Sequence, residues 1–150
     1  MGDKGTKRRR VLFDADALIA GSASATGASH ALLVLSELDV LEVVISPHVL
    51  AEADRNLRAK LPKAVPLFRS LVEHACRGVE DPSPEILKTL MGQAHEKDLP
   101  VLGAAVQSDC ESIITFNTKD FNPRGDRPRI ETPGDFLVRL RNELEEELPP

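Results

Sequence analysis

The sequence predicts an α/β protein, a three-layer α/β/α sandwich around a mostly parallel sheet. Three observations carry this. Short apolar, β-rich runs (VLF at 11–13, LEVVIS at 41–46, SIITF at 112–116) alternate with longer stretches whose apolar residues recur on a helical period. The strand-like runs are continuously apolar rather than alternating, as strands covered on both faces require. Two of them, at 11–13 and 112–116, run straight into polar clusters, and in open parallel sheets ligands gather beyond the carboxyl ends of the strands.

Taken in order, residues 1–10 read as a basic, disordered lead, 11–145 as one domain and 146–150 as a tail. After the first strand, DADALIAGS turns into a short helix. SHALLVLSELD (29–39) is a second helix with Ser29 as its N-cap, and LEVVIS a second strand. Ser46-Pro47 is a helix start, a cap followed by proline at the first helical position. That helix is predicted to run to Lys60 with Val49, Leu50, Ala53 and Leu57 inward. Further helices are predicted over 64–76 and 84–96. Asp98, with Pro100 behind it, caps another helix whose Gly103, Ala104 and Ala105 permit close packing. SIITF is the third strand, a short strand surrounds Ile130, and TPGDFLVRLRNELEEEL closes the chain as an amphipathic helix.

Composition narrows the function. A chain of 150 residues with 41% hydrophobic and 29% charged residues has the makeup of one ordinary globular domain. No apolar run approaches the roughly 20 residues of a membrane span, so no membrane partner is expected. Cys76 and Cys110 form no CxxC pattern, which favours a reduced, cytoplasmic setting with inert thiols. The four histidines show no zinc-binding spacing. Trp and Tyr are absent and Phe is scarce, five in all, which argues against an aromatic stacking platform for single strands. A net charge of −5 ordinarily points away from nucleic acid. The exception is a protein whose carboxylates are gathered at a cation site while basic clusters elsewhere meet phosphates. Three such clusters exist: Lys7 to Arg10, then Arg55, Arg58 and Lys60, then Arg124, Arg127 and Arg129.

The acidic residues have a pattern of their own. Asp14 and Asp16 follow the first strand, Asn117 and Asp120 follow SIITF, Asp98 heads a helix just before it, and Glu52 lies in the helix after the second strand. Each has a plain structural explanation: Asp14, Asp16 and Asp98 as helix caps, Glu52 as a surface carboxylate, Asn117 and Asp120 as shapers of an Asx turn. Their shared location is the argument, because the topology brings them to one end of the sheet. Converging carboxylates repel, and burial raises their pKa values. A divalent cation removes that conflict, and a donor set of oxygens without Cys or His suits Mg²⁺ or Mn²⁺.

These residues resemble the motifs of PIN-domain nucleases. VLFDADALIAG is similar to the family's opening, an apolar strand, Asp, a variable residue, Asn or Asp, and an apolar helix start. ISPHVLAEADRNL resembles the second motif, with Glu52 as its acid. DLPVLGAAVQSDCESIITFNTKDF resembles the third and fourth, with Asp98 opening the helix and Thr115 near the strand end. ETPGDFLVRL resembles the close of a bacterial subgroup. The likeness spans roughly residues 10–140. It departs at Asn117, where many members have Asp, and at Asp16, where Asn is more usual.

The resemblance implies an Mg²⁺- or Mn²⁺-dependent ribonuclease that hydrolyses single-stranded RNA with a water activated on the cation. Asp14 and Asp98 would be principal metal ligands. Glu52 and Asp120 would complete the site directly or through water, with Asn117 as a neutral ligand or a positioner of water. Thr115 would order the water or the loop, and arginines near the site would hold the RNA backbone. It also implies a homodimer and, as in many small bacterial members, a toxin restrained by a cognate antitoxin; the apolar face of SHALLVLSEL and the following helices reads first as core and alternatively as the surface such a partner buries. Two alternatives stay open. FDADALI resembles haloacid dehalogenase-like phosphatases, although Leu18 stands where that family has Thr. The other is a non-catalytic PIN scaffold binding RNA or protein.

Overall fold

The computed structural model describes residues 9–149. The expected disordered lead over residues 1–8, including Lys7 and Arg8, and the last tail residue Pro150 lie outside the described residues. Five strands form one parallel sheet in the order β3-β2-β1-β4-β5: β1 Arg9–Phe13, β2 Leu41–Ile45, β3 Cys76–Gly78, β4 Ser112–Ile114 and β5 Arg129–Glu131. Seven α-helices connect and cover it: α1 Ala15–Ala23, α2 Ala28–Glu37, α3 Pro47–Lys60, α4 Val65–Ala75, α5 Pro84–Thr89, α6 Leu99–Gln107 and α7 Pro133–Glu146. Helices lie on both sides, so the predicted α/β/α sandwich is the fold observed. The chain builds outward from β1 to β2 and β3, then returns to β4 on the other flank of β1. The reversal makes the crevice between β1 and β4 the topological switch point, where this architecture gathers ligands.

The core explains why the strands read as continuous apolar runs. Val11, Leu12, Phe13, Val43, Val44, Ile113 and Ile114 are all buried, with Leu18, Leu33, Phe68, Leu102 and Phe136 packed over them from the helices. Removing a side chain of this size from water contributes about 1.5–3 kcal/mol. Two glycines bring elements close. A Cβ on Gly21 would sit 2.6 Å from Leu33 Cδ1, holding α1 against α2, and one on Gly103 would sit 2.7 Å from Pro82 Cβ. The close packing expected at Gly103 is therefore real.

Several expectations need correction. Arg9 and Arg10 belong to β1 rather than to a disordered lead. Arg10 donates to Glu42 at 2.7 Å, and Arg9 pairs with Glu143 and Glu111. The expected helix over 84–96 ends at Thr89, and the chain leaves it through Gly92 at φ +83°, a conformation that side chains disfavour. Ser29 is not an N-cap; Gly27 holds that place and Ser29 Oγ is buried inside α2 without a partner. Leu50 is 37% exposed, while Val49, Ala53 and Leu57 face inward as expected. The predicted cap at Ser46 holds, its Oγ accepting from Val49 N–H, and Thr132, which the sequence reading does not single out, caps α7 in the same way, its Oγ1 accepting from Asp135 N–H.

Candidate active site

The site grows from the last residues of β1 and β4. Asp14 follows Phe13 and caps α1, its Oδ1 accepting from Ala15 N–H at 2.9 Å; its backbone N–H continues the ladder to Ile114 O. The chain after β4 then folds back over it. Thr115, fully buried, donates its hydroxyl proton to Asp14 Oδ2 at 2.9 Å, and its oxygen accepts from Asn117 N–H at 3.0 Å. Both Asp14 oxygens are thus held, one by each strand's following turn. Thr115 thereby ties the segment after β4 to Asp14.

Asp16 closes this network. Its Oδ2 accepts from Phe116 N–H at 3.1 Å and from Asn117 Nδ2 at 3.0 Å, and its Oδ1 lies 3.5 Å from the Thr115 hydroxyl. Burial first, and the Asp14 charge second, push its pKa from an ordinary 3.8 up to about 6. Asn117 is therefore an amide donor that fixes Asp16. Asp16 itself was left without a role by the sequence. Its two-residue spacing from Asp14 across a helix cap was the available signal.

Asp98 enters from the other side. The loop that carries it is stitched to the segment after β4: His95 N–H donates to Asp120 O, Asn122 N–H to Gln93 O, and Ala94 bridges Phe121. Buried Gln93 completes the seam by accepting from Arg124 N–H and donating to Thr89 O. Asp98 stands at the start of α6 but does not cap it through its side chain. Its Oδ2 is instead buried with no hydrogen-bond partner. Burial, then the charges of Asp14 and Asp120, raise its pKa, while Lys97 and His95 oppose that. Asp14, Asp98 and Asp120 therefore share one electrostatic neighbourhood.

The full set of four carboxylates is not assembled. Among the described residues, no three His, Cys, Asp or Glu side chains close into a metal-holding cluster. Glu52 lies on α3 after β2, half exposed, with His48 Nε2 3.9 Å from its carboxylate, outside the hydrogen-bond network of Asp14 and Asp16. The residues present nonetheless fit a hydrated hard cation. Mg²⁺ retains several waters and takes only one or two carboxylates from protein, and Asp98 Oδ2 is a buried anionic oxygen lacking any donor.

The basic clusters also fall differently than expected. Arg127 and Arg129 line a polar cleft with Arg9 and Arg139. Arg9 opens β1 and Arg129 opens β5, so this cleft lies at the edge of the sheet opposite the carboxylates. Arg58 is tied to Asp54, which also binds Arg69. The cations carried by the segments around the site are Lys97, Lys119 and Arg124.

The PIN domain family model matches residues 10–119. The chain belongs to the PIN-domain nuclease family. That assignment removes the phosphatase alternative and agrees with Asp14 and Thr115 at the switch point. Solved PIN-like structures share the fold. PAE2754 from Pyrobaculum aerophilum aligns with a TM-score of 0.64 at 19% identity, covering 92% of this chain and 99% of that one. VapBC2 from Rickettsia felis, bound to a DNA fragment from their promoter, aligns with a TM-score of 0.59 at 13% identity, covering 81% and 96%. Comparison with curated proteins gives no match.

Proposed function

We propose that this PIN-domain protein is a divalent-metal-dependent endoribonuclease that hydrolyses phosphodiester bonds of single-stranded RNA. The observation that carries the reading is Asp98 Oδ2, buried without a partner in the field of Asp14 and Asp120. A buried carboxylate oxygen so placed is costly unless a cation meets it. Asp98 and Asp14 would hold Mg²⁺ or Mn²⁺, with Asp120 acting through water. When bound, the ion would supply Lewis acidity toward a phosphoryl oxygen and lower the pKa of a coordinated water. The chain's own contribution is orientation. Thr115 aims Asp14, Asp16 and Asn117 hold the turn that carries Thr115, and the Gln93 seam sets Asp98 against Asp120. Lys97, Lys119 and Arg124 would meet the RNA phosphates, a contact that weakens steeply with salt.

Cleavage of single-stranded RNA in Mn²⁺ or Mg²⁺ tests this. It is expected to vanish on chelation and to fall by ~100-fold or more in Asp98→Asn, a few kcal/mol of barrier. Cleavage that persists under full chelation overturns the metal mechanism, and its complete absence favours a non-catalytic scaffold.

A protein partner of antitoxin type and a homodimer belong to the same proposal. SHALLVLSEL is core at Leu32 and Leu33, the first of its two readings. An apolar groove of about 620 Å³ lies between α2 and the end of α7, lined by Leu35, Val40, Leu137, Leu144 and Leu148.

A further inference from the structure

Phe116 is unlike the other aromatic residues. The chain has five phenylalanines and neither Trp nor Tyr. Phe13, Phe68, Phe121 and Phe136 are buried, whereas Phe116 is 52% exposed. It does not sit on a loose loop. Its N–H donates to Asp16 at 3.1 Å, Thr115 before it is bonded to Asp14, and Asn117 after it is bonded to Asp16. The acidic edge thus grips the backbone on both sides of a ring that the core does not use. Among the exposed aliphatic residues, Leu50, Leu67, Val138 and Leu144 lie on helix surfaces, while Leu38, Val40, Leu61 and Leu148 lie in turns or just beyond helix ends.

We propose that Phe116 is a nucleobase-stacking subsite, its ring receiving the face of one base of a single-stranded substrate whose phosphate lies at the carboxylate edge. The inference rests on the ribonuclease reading and deepens it. Carboxylates repel the phosphates of an approaching strand, so attraction beside them is best supplied by a group without charge. A ring stacks on any base, which makes such a subsite tolerant of sequence. A duplex keeps its bases stacked on one another and presents no free face, so the subsite favours single strands. The scarcity of aromatic residues argues against a stacking platform, and the subsite departs from that expectation only by a single ring. Exposed Lys119, three residues along, is placed to meet the adjoining backbone.

The absence of native tryptophan makes the test direct, because Phe116→Trp introduces the sole indole. Binding of a short oligouridine to the full chain is measured in Ca²⁺ by anisotropy, beside the emission of Phe116→Trp. Stacking worth ~1–3 kcal/mol per base corresponds to a loss of about 5- to 150-fold. Phe116→Ala is expected near the lower end, about 5- to 20-fold, because the ring is already half exposed. Phe116→Leu, apolar without a π face, should recover little of this. Phe116→Trp should bind at least as well as the parent, with its emission quenched on saturation. The Phe116→Ala loss should be the same at about 50 and about 200 mM salt, whereas that of Lys119→Ala should shrink. Because the ring is exposed, thermal melts of the variants should match the parent.

If the parent binds and cleaves RNA while Phe116→Ala stays within twofold and the indole is not quenched, the subsite is refuted and the ribonuclease reading stands. If the parent binds but does not cleave, the ribonuclease reading falls and the Phe116 variants still decide the subsite. If the parent does neither, both fall.

Discussion

Asp16→Asn tests the electrostatics of the acidic edge while sparing the residues assigned to the cation. In the folded chain the Asp16 pKa is pushed from 3.8 to about 6, by burial first and by Asp14 second. At about 1.4 kcal/mol per pKa unit that rise corresponds to ~3 kcal/mol; Asp16 is only partly buried, and solvent screening reduces it to ~1–1.5 kcal/mol. The sign follows from proton counting. Between those two pH values the folded chain retains a proton that the unfolded chain has released, so this group's contribution to stability falls as pH rises from about 4 to about 6 and stays low above it. In Asp16→Asn the amide oxygen still accepts from Phe116 N–H and Asn117 Nδ2, and the new NH₂ faces the Thr115 hydroxyl oxygen. Its hydrogen bonds survive and its charge does not. Urea unfolding in chelator should therefore find the variant more stable than the parent by ~1–1.5 kcal/mol at pH 7.5, a rise of about 2–6 °C in Tm, and equal to it at pH 4. A variant less stable at pH 7.5, or one whose difference is the same at both pH values, refutes the reasoning.

Two other variants probe what holds the site and the sheet. Thr115→Val keeps the shape but removes the hydroxyl that donates to buried Asp14 and accepts from Asn117; it should cost ~1–3 kcal/mol in urea unfolding and lower kcat with KM little changed. Unaltered stability would contradict the hydrogen-bond assignment. Arg139 binds Glu131, Glu111 and Glu143 together and lies over the Phe136 ring at 5.1 Å; against burial it holds the Glu131 carboxyl below its usual range, and it adds to Arg9, the larger influence, in lowering that of Glu143. Depressed carboxyl pKa values stabilise above the ordinary range and lose that effect as pH falls through the folded values. Arg139→Met should accordingly be destabilised at neutral pH, with the deficit closing as the acid limb is approached below about pH 4. A deficit that persists unchanged to pH 2 would mark lost packing rather than lost charge.

The fold was legible wherever burial imposed a pattern. β1, β2 and β4 are unbroken apolar runs because helices cover both faces, and α3 announces itself by a hydroxyl cap before proline. β3 was not legible: Cys-Arg-Gly has no strand signature and pairs only because β2 offers it an edge. The overlong helix after Pro84 came from apolar spacing that continues past Gly92, where the backbone turns left-handed. In the site, Asp14 and Thr115 were found because a strand end constrains them. Asp98 was singled out because it heads a helix just before β4, and the cap that its place before proline also suggested is not made. The roles of Asp16 and Asn117 could not be read at all. Their hydrogen bond joins residues 101 apart in sequence, and neither β1 nor β4 alone predicts it. Nor does spacing reveal which arginines share an edge with the carboxylates, because sheet order decides it.

The central claim is that the carboxylates at the β1–β4 switch point are a cation site, and the anomalous signal of Mn²⁺ in crystals soaked with it tests that most directly. The account predicts a peak within ~2–2.3 Å of Asp98 Oδ2, also ligated by Asp14 and lost in Asp98→Asn crystals. Mn²⁺ bound only at other carboxylates, with Asp98 Oδ2 still lacking a partner, would contradict it.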